Sequence, residues 1–499
     1  MFVGDSAEGG EGNLYVSHKQ DFDKICMYNY WSGCRLMNRK KIHDELIAIV
    51  GSKWVSNRKA ELFLYSWDFL TTEPIGKPDF VVMPKETEEV QAIVRLANQE
   101  RIHIIPYVKG LSVGGLANPN EGGVVLDMKR MNKILEVEED NMYAVIEGGV
   151  TQAQLKRYLN KYYPELRFSY TWAPPGTGIL PGLLNYGMYD LSLRYGSGDR
   201  LINAIEVVLP TGEIAYFGSR MFSSNWLCKN PVPDLMGLFI GWQGTTGIIT
   251  KAGIQLFNNF LHQKTYIVET KTVELGFDIQ NQIAKADIAD DITGENFFWA
   301  KAGEGYKLPI KKKTEDPELT TTITLTANTS KEMEAKEEIL TNFCERAEAH
   351  FALMENIQMP VQVINDWDGA KAGSMQWIGA YMPNRYLAKS YRKSEKIYEK
   401  YGYSIQAYNR LMGNGHYGII RFNACFWKKH DFDERKKVNS MLREIAKVLL
   451  ESNGILYKPP MWAAEILLKR GNPAAVKLMR KIKNLLDPNR IMNPGKLGL

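Results

Sequence analysis

Three glycine-rich segments, each beside an apolar run, constrain this chain more than any other feature. The first is Pro106-Tyr107-Val108-Lys109-Gly110-Leu111-Ser112-Val113-Gly114-Gly115, directly after His103-Ile104-Ile105. The second is Pro174-Pro175-Gly176-Thr177-Gly178-Ile179-Leu180-Pro181-Gly182, and the third is Gly241-Trp242-Gln243-Gly244-Thr245-Thr246-Gly247-Ile248-Ile249-Thr250-Lys251. Glycine lets a backbone turn sharply and brings its N–H groups close to a ligand oxygen, so such loops can cradle phosphate. The first segment matches neither G-x-G-x-x-G nor the P-loop pattern, and in the second Pro181 stands where the third glycine of the dinucleotide fingerprint would be. With no βαβ unit around that second segment, a nicotinamide-binding Rossmann fold is not expected. Singly these are ordinary turns, or for the third a β-bulge. Three of them within residues 79–258 raise the prospect of a ligand site.

The residues around them read as α+β. Asp79-Phe80-Val81-Val82-Met83-Pro84 is a short apolar run ended by proline, the mark of a strand. Thr87-Glu88-Glu89-Val90 opens a helix with the apolar face Val90, Ile93, Val94 and Ala97, and Thr87 is its expected cap. A second strand, His103-Ile104-Ile105-Pro106-Tyr107, completes a βαβ unit. Short strands are expected at Val124–Asp127, Ile134–Val137 and Ala144–Glu147, and a helix after Thr151. Glu206 to Tyr216 reads as two strands around a turn at Gly212. Beyond Phe260, strands at Thr265–Glu274 and Gly418–Asn423 accompany helices at Lys331–Glu348, Asn384–Tyr401 and Asp433–Leu450, a second α+β region. Ala475, Leu478, Met479 and Ile482 predict an amphipathic helix before Asp487-Pro488-Asn489-Arg490-Ile491-Met492-Asn493-Pro494-Gly495-Lys496. Residues 1–77 read as an irregular arm followed by helix, with Ile42, Leu46 and Ile49 at helical spacing.

Composition narrows the class. A length of 499 residues is about three typical domains, and 44% hydrophobic with 24% charged residues is the balance of a soluble globular chain. A net charge of +5 over this length does not argue for nucleic acid. The five cysteines (Cys26, Cys34, Cys228, Cys344, Cys425) contain no C-x-x-C pair, which argues against an iron–sulfur cluster, a zinc ribbon or a disulfide framework. The start, Met1 to Asn13, lacks the basic and apolar regions of a signal peptide, and no run of about 18 apolar residues occurs. A cytoplasmic protein without a membrane span is expected.

The stretch from Pro106 through Glu121-Gly122-Gly123-Val124-Val125-Leu126-Asp127-Met128-Lys129-Arg130-Met131-Asn132 to Glu147-Gly148-Gly149-Val150-Thr151 resembles one known flavoprotein domain. It is the FAD-binding domain of the vanillyl-alcohol oxidase/p-cresol methylhydroxylase (PCMH-type) superfamily. The likeness continues through Arg194-Tyr195-Gly196-Ser197-Gly198-Asp199, Glu206–Glu213, Gly244–Thr250 and Asp487–Lys496, in the family's order. The resemblance implies an α+β fold with a two-part PCMH-type FAD-binding domain, residues 78–258 completed by 455–499, and a central α+β substrate or cap domain, residues 259–454. It implies FAD as the cofactor and hydride transfer from a small organic substrate to flavin N5. By the same resemblance Val108, Lys109, Gly110, Leu111, Ser112 and Gly115 would wrap the pyrophosphate. Pro175, Gly176, Thr177, Gly178 and Gly182 would lie along the ribityl and isoalloxazine, Gly247 and Ile249 near the adenine, and Asn493 against the flavin. Val108 and Lys109 depart from the family's glycines, and the second loop lacks a G-G-N continuation.

Substrate is a separate question, since fold does not fix it. The hydroxy-acid branch has a His-x-Gly-x-Gly-Asn-x-His metal motif. Here Gly413-Asn414-Gly415-His416-Tyr417-Gly418 offers one histidine, so no metal is expected. The phenol-oxidising branch holds phenolate with a Tyr-Arg pair, whose counterpart is Tyr457-Lys458; lysine keeps the charge but loses the planar fork. His416 resembles in position a histidine that tethers flavin covalently in some relatives. It can equally be a base, a substrate ligand or a loop-end hydrogen-bond group. Arg421 suits an anionic substrate or a structural salt bridge. The expected substrate is a para-substituted phenol or aromatic alcohol, with a metal-independent 2-hydroxy-acid dehydrogenase and an electron-transfer flavin subunit as alternatives. Expected partners are this small molecule and, in a homo-oligomer or larger complex, an electron-acceptor protein.

Overall fold

Val90, Ile93, Val94 and Ala97 are buried along one side of a helix, as their spacing predicts. The structure, a computed structural model, describes residues 38–66, 76–111, 114–171, 173–231, 233–306, 309–354, 374–426 and 431–499. Ser112, Cys26, Cys34 and the arm up to residue 37 lie outside the described residues. By internal contacts the chain divides into Met1–Ile42 and His43–Leu499. Of the first unit the described part is residues 38–42, which enter helix α1 (Arg39–Val50). All that follows concerns the second.

Its first sheet joins β1 (Val55–Ser56), β2 (Phe80–Val82), β3 (Ile104–Tyr107) and β4 (Val124–Asp127) in the order β1-β2-β4-β3. The expected βαβ unit is present through α2 (Thr87–Glu100), but β2 and β3 do not pair with each other. Both pair in parallel with β4, which Gly122 and Gly123, at φ 74° and 94°, steer between them. Thr87 is not the cap of α2. It is the first helical residue, Glu86 precedes it, and its hydroxyl instead donates to the buried Glu206 carboxylate at 2.6 Å.

The second sheet contains β5 (Ile134–Glu138), β6 (Tyr143–Glu147), β7 (Ile202–Val208), β8 (Ile214–Gly218) and β9 (Ile248–Gln255), antiparallel in the order β5-β6-β9-β7-β8. The β7–β8 hairpin turns at Gly212, φ 85°, as the sequence predicts. After Thr151, helix α3 (Gln152–Tyr162) starts with a capping box: the Thr151 hydroxyl accepts from Gln154 N and the Gln154 side chain accepts from Thr151 N.

The cap is an antiparallel sheet of eight strands among the described residues. They are β10 (His262–Thr270), β11 (Asp291–Asn296), β12 (Leu319–Ala327), β13 (His350–Leu353), β14 (Ser374–Met382), β15 (Gln406–Met412), β16 (Tyr417–Phe426) and β17 (Ile455–Leu456). Their order is β13-β10-β12-β11-β15-β16-β14-β17. Period-two alternation splits this sheet. Ile378, Ala380, Ala407, Phe422 and Ala424 point into the core made with helices α4 (Val273–Lys285), α5 (Ser330–Arg346), α6 (Leu387–Tyr401) and α7 (Phe432–Glu451). Their neighbours Trp377, Tyr408, Arg421 and Asn423 line a cavity on the other face.

The chain end then returns to the first sheet. Helix α8 (Pro473–Leu486) leads to Asp487, whose carboxylate accepts from Ile491 N and Met492 N at 3.0 Å each. Ile491 O accepts from Ile104 N and Asn493 N donates to Ile104 O, so this segment runs beside β3. A buried seam ties the cap to the cofactor side. Arg410 on β15 donates to Tyr189 O and to Thr293 Oγ1 at 3.0 Å, and pairs with Asp291 at 3.1 Å.

Candidate functional site

The three glycine loops converge because glycine is what lets them touch. A side chain at Gly178 in the second loop would meet Val108 of the first at 2.7 Å, and one at Gly244 in the third would meet Pro106 at 2.9 Å. Gly110, at φ 66°, leaves no room for a Cβ against the Tyr107 hydroxyl, and Gly182 leaves none against that of Tyr189. The loops enclose one end of a cavity of about 370 Å³, and the bare face of the cap sheet roofs the other.

Val108, Lys109, Gly110 and Leu111 line this cavity, as do Thr177, Gly178, Gly182, Gly247, Ile249 and Asn493. Gly115, Pro175 and Gly176 do not reach its wall. Gly115 O instead accepts from Asn118 N, and Pro175 O accepts from Ala153 N at the start of α3. Burial draws the Lys109 ammonium below the ordinary lysine value, against a smaller opposing pull from Asp127. At the C-terminal segment Asn493, at φ 38°, donates its amide to Leu116 O at 3.1 Å and Gln243 O at 2.7 Å. Among the described residues its buried Oδ1 and the Thr177 hydroxyl have no hydrogen-bond partner. A cavity wall of close backbone, one cation and unsatisfied buried polar atoms fits a large polar cofactor such as FAD.

The roof is one register row. Glu295 on β11 pairs with Tyr408 on β15, Tyr408 with Arg421 on β16, and Arg421 with Gly379 on β14, whose carbonyl accepts from Tyr457 N. The Arg421 guanidinium lies 4.3 Å from the Trp377 ring centre and 5.7 Å from that of Tyr408. Burial pulls its pKa below the ordinary arginine value, with Tyr457, Tyr408 and Tyr381 pulling it back. Among the described residues no carboxylate forms an ion pair with it, and its Nε lacks a hydrogen-bond partner. Tyr457 is buried, its ring 5.6 Å from Trp377 and 5.4 Å from Tyr381. Lys458 follows at φ 44°, its ammonium 5.0 Å from the Tyr457 ring centre. Gly379 gives this row its depth, since a Cβ there would strike Arg421 Cγ at 2.7 Å.

The structure thus brings Arg421, Tyr457 and Lys458 together and leaves His416 out. His416 is exposed in the turn between β15 and β16 and does not line the cavity; its N–H donates to Gly413 O within that turn. The turn itself is fastened elsewhere, with Asn414 N donating to Leu193 O at 2.5 Å. Glu295, Trp299, Trp377, Tyr408 and Asn423 also line the cavity and are missed by sequence reasoning. The alternation that marks β16 as a strand already puts Asn423 on the face of Arg421. Nothing in the sequence shows which distant strands lie beside them. Among the described residues no three His, Cys, Asp or Glu side chains gather as a metal site.

Two protein families match this chain: FAD binding domain at residues 78–218, and FAD linked oxidases, C-terminal domain, at residues 312–497. The chain is an FAD-linked oxidoreductase. Its curated relatives include D-lactate dehydrogenase of Archaeoglobus fulgidus, 25% identical over 87% of this chain and 95% of that protein. Glycolate oxidase subunit GlcD of Bacillus subtilis is 25% identical over 92% and 97% of the two chains, respectively. D-2-hydroxyglutarate dehydrogenase of Stutzerimonas stutzeri is 26% identical over 91% and 98%. Among solved structures, p-cresol methylhydroxylase with substrate bound shares the fold at TM-score 0.82, with 19% identity over 94% of this chain and 98% of that one. So does 4-ethylphenol oxidase from Gulosibacter chungangensis, at TM-score 0.82 and 20% identity over the same shares. This FAD-linked oxidoreductase therefore has a PCMH-type fold, with proteins of hydroxy-acid names among its sequence relatives and phenol-oxidising proteins among its structural neighbours.

Proposed function

We propose that this FAD-linked oxidoreductase oxidises a small organic anion, in the first place a para-substituted phenol bound as its phenolate. The observation that carries the reading is Arg421, a half-buried cation on the cavity roof with aromatic rings beside it. Its buried Nε lacks a partner, and no carboxylate among the described residues pairs with it. A charge drawn partly out of water and left unpaired is costly, so a site of this kind favours a ligand that brings the opposite charge. Lys458 adds a second cation and Tyr457 a hydroxyl next to it. Trp377, Tyr408 and Tyr457 supply flat walls suited to an aromatic ring. FAD, when bound, accepts the hydride. The three glycine loops and Asn493 would hold it, and the roof would position the substrate's reacting carbon toward it while keeping water out. The cofactor side would comprise residues 78–258 and 455–499 and the cap residues 259–454.

A second reading is a 2-hydroxy acid. The planar guanidinium of Arg421 is the group best shaped for a carboxylate, and the curated relatives named above carry hydroxy-acid names. A binding titration separates the two, read as perturbation of the flavin spectrum by a para-alkylphenol or by a D-2-hydroxy acid. The phenol should bind to wild type and bind at least tenfold more weakly to Lys458→Met and Arg421→Met, with FAD content unchanged. Binding of the hydroxy acid alone, lost in Arg421→Met but kept in Lys458→Met, would replace the phenol with the acid. His416 has no part in the proposal, and His416→Ala should leave both titrations unchanged.

A further inference from the structure

The C-terminal helix has a face that the oxidoreductase reading does not use. From Ile466 to Leu486 the chain has six basic residues, Lys469, Arg470, Lys477, Arg480, Lys481 and Lys483, and no Asp or Glu. Helix α8 within it is firmly built: Pro473 stands in its first turn, and the Asn472 side chain accepts from Ala474 N and Ala475 N. Its inner side is anchored by Lys483, which is buried, pairs with Asp487 and donates to Thr245 O and Met492 O. Thr245 belongs to the third glycine loop. The outer side is different. Leu478 is 57% exposed and Leu485 80% exposed, and seven residues, two helical turns, place them on one stripe. Lys477 and Lys481 run exposed along the flank of that stripe, with Arg480 exposed as well. Among the described residues Lys469, Lys477, Arg480 and Lys481 enter no ion pair.

We propose that α8 docks this protein on an anionic phospholipid surface. A helix that shows leucines between unpaired lysines matches both parts of such a surface. The lysines meet headgroup phosphates while the leucines enter the acyl boundary. Nucleic acid would satisfy the charges and leave the leucines in water. A second copy of the same basic face would cover the leucines and set lysine against lysine. No helix among the described residues is long and apolar enough to cross a membrane, and α8, at 14 residues, would lie flat.

The test is co-sedimentation of the intact FAD-loaded protein with vesicles of phosphatidylcholine alone or mixed with phosphatidylglycerol. Wild type should pellet with the mixed vesicles, stay in solution with phosphatidylcholine alone, and be released by high salt. Each basic residue near an anionic surface contributes about fivefold, so Lys477→Gln with Lys481→Gln should weaken partitioning roughly 30-fold. Leu478→Ser with Leu485→Ser should weaken it independently. Both double variants should keep wild-type FAD content and melting temperature, because all four side chains are exposed. Equal binding to both vesicle types, or binding that neither pair of substitutions changes, would overturn the proposal. A concentration-dependent dimer or a complex with duplex DNA, lost in these variants while vesicles are ignored, would overturn it in favour of that other occupant.

Discussion

Arg421 and Gly182 show how much rests on single positions. Among the described residues no carboxylate pairs with this guanidinium on the cavity wall, so on the proposed reading Arg421→Met removes a charge-assisted contact to the substrate and little that the fold needs. Such contacts are worth about 1.5–3 kcal/mol, so kcat/KM should fall roughly 10- to 150-fold, through KM if the contact is equally strong in substrate and transition state. Steady-state kinetics with an artificial acceptor checks this, and unchanged kinetics would leave Arg421 a structural residue. At Gly182 the argument is steric: an added Cβ would collide with the Tyr189 hydroxyl, which is buried and cannot swing away. Gly182→Ala should lower FAD affinity, read by equilibrium dialysis, without changing which substrates are accepted. Gly176 is the control, since a Cβ there meets nothing within 4 Å and Gly176→Ala should bind FAD as wild type does.

At the scale of elements, the cap is joined to the cofactor side by Arg410, whose partners lie on both: Tyr189 O, Thr293 and Asp291. Arg410→Met strands a buried carboxylate and should cost about 3–5 kcal/mol in urea unfolding. Glu206 is a second junction. It accepts from Thr87 on α2 and Thr250 on β9 and pairs with Lys251 at 3.0 Å. Burial alone would raise this carboxyl, but those bonds and the lysine outweigh it and hold it below the ordinary glutamate range. A depressed carboxyl stabilises the fold above its unfolded pKa, so this contribution is present at neutral pH. It is lost as pH falls below about 4.5 and through the lower folded value. Thr87→Val should therefore cost about 1–3 kcal/mol at pH 7 and visibly less in acid. The sequence could show that Thr87 begins a helix, but the partner that takes its hydroxyl from the capping role lies more than a hundred residues away.

The same contrast holds for the whole molecule. Most strands of the first two sheets were legible because they are short apolar runs punctuated by glycine and proline, though β1 and the insertion of β4 between β2 and β3 were not. The cofactor loops were legible because three glycine clusters lie beside those strands. The C-terminal return was legible as a motif, and its physics is now plain: Asp487 holds two backbone amides and the Lys483 ammonium, so Asn493 is delivered to the cavity. The roof was not legible. It depends on the register of β11, β15, β16 and β14, which places Glu295, Tyr408, Arg421 and Gly379 in one row, and no local pattern encodes which strands are neighbours. The exposed place of His416 was not legible for a related reason, since nearness to a strand end does not say which side of the sheet a hairpin turn faces.

The central claim is that the loops hold FAD where the Arg421 roof can present an organic anion to it. Anaerobic mixing of the FAD-loaded protein with a para-alkylphenol, and separately with a D-2-hydroxy acid, tests it most directly. The account predicts that the visible flavin band bleaches with the phenol, and that Arg421→Met bleaches at least tenfold more slowly at the same concentration. A band that neither substrate class bleaches, in protein whose flavin dithionite still reduces, would contradict it.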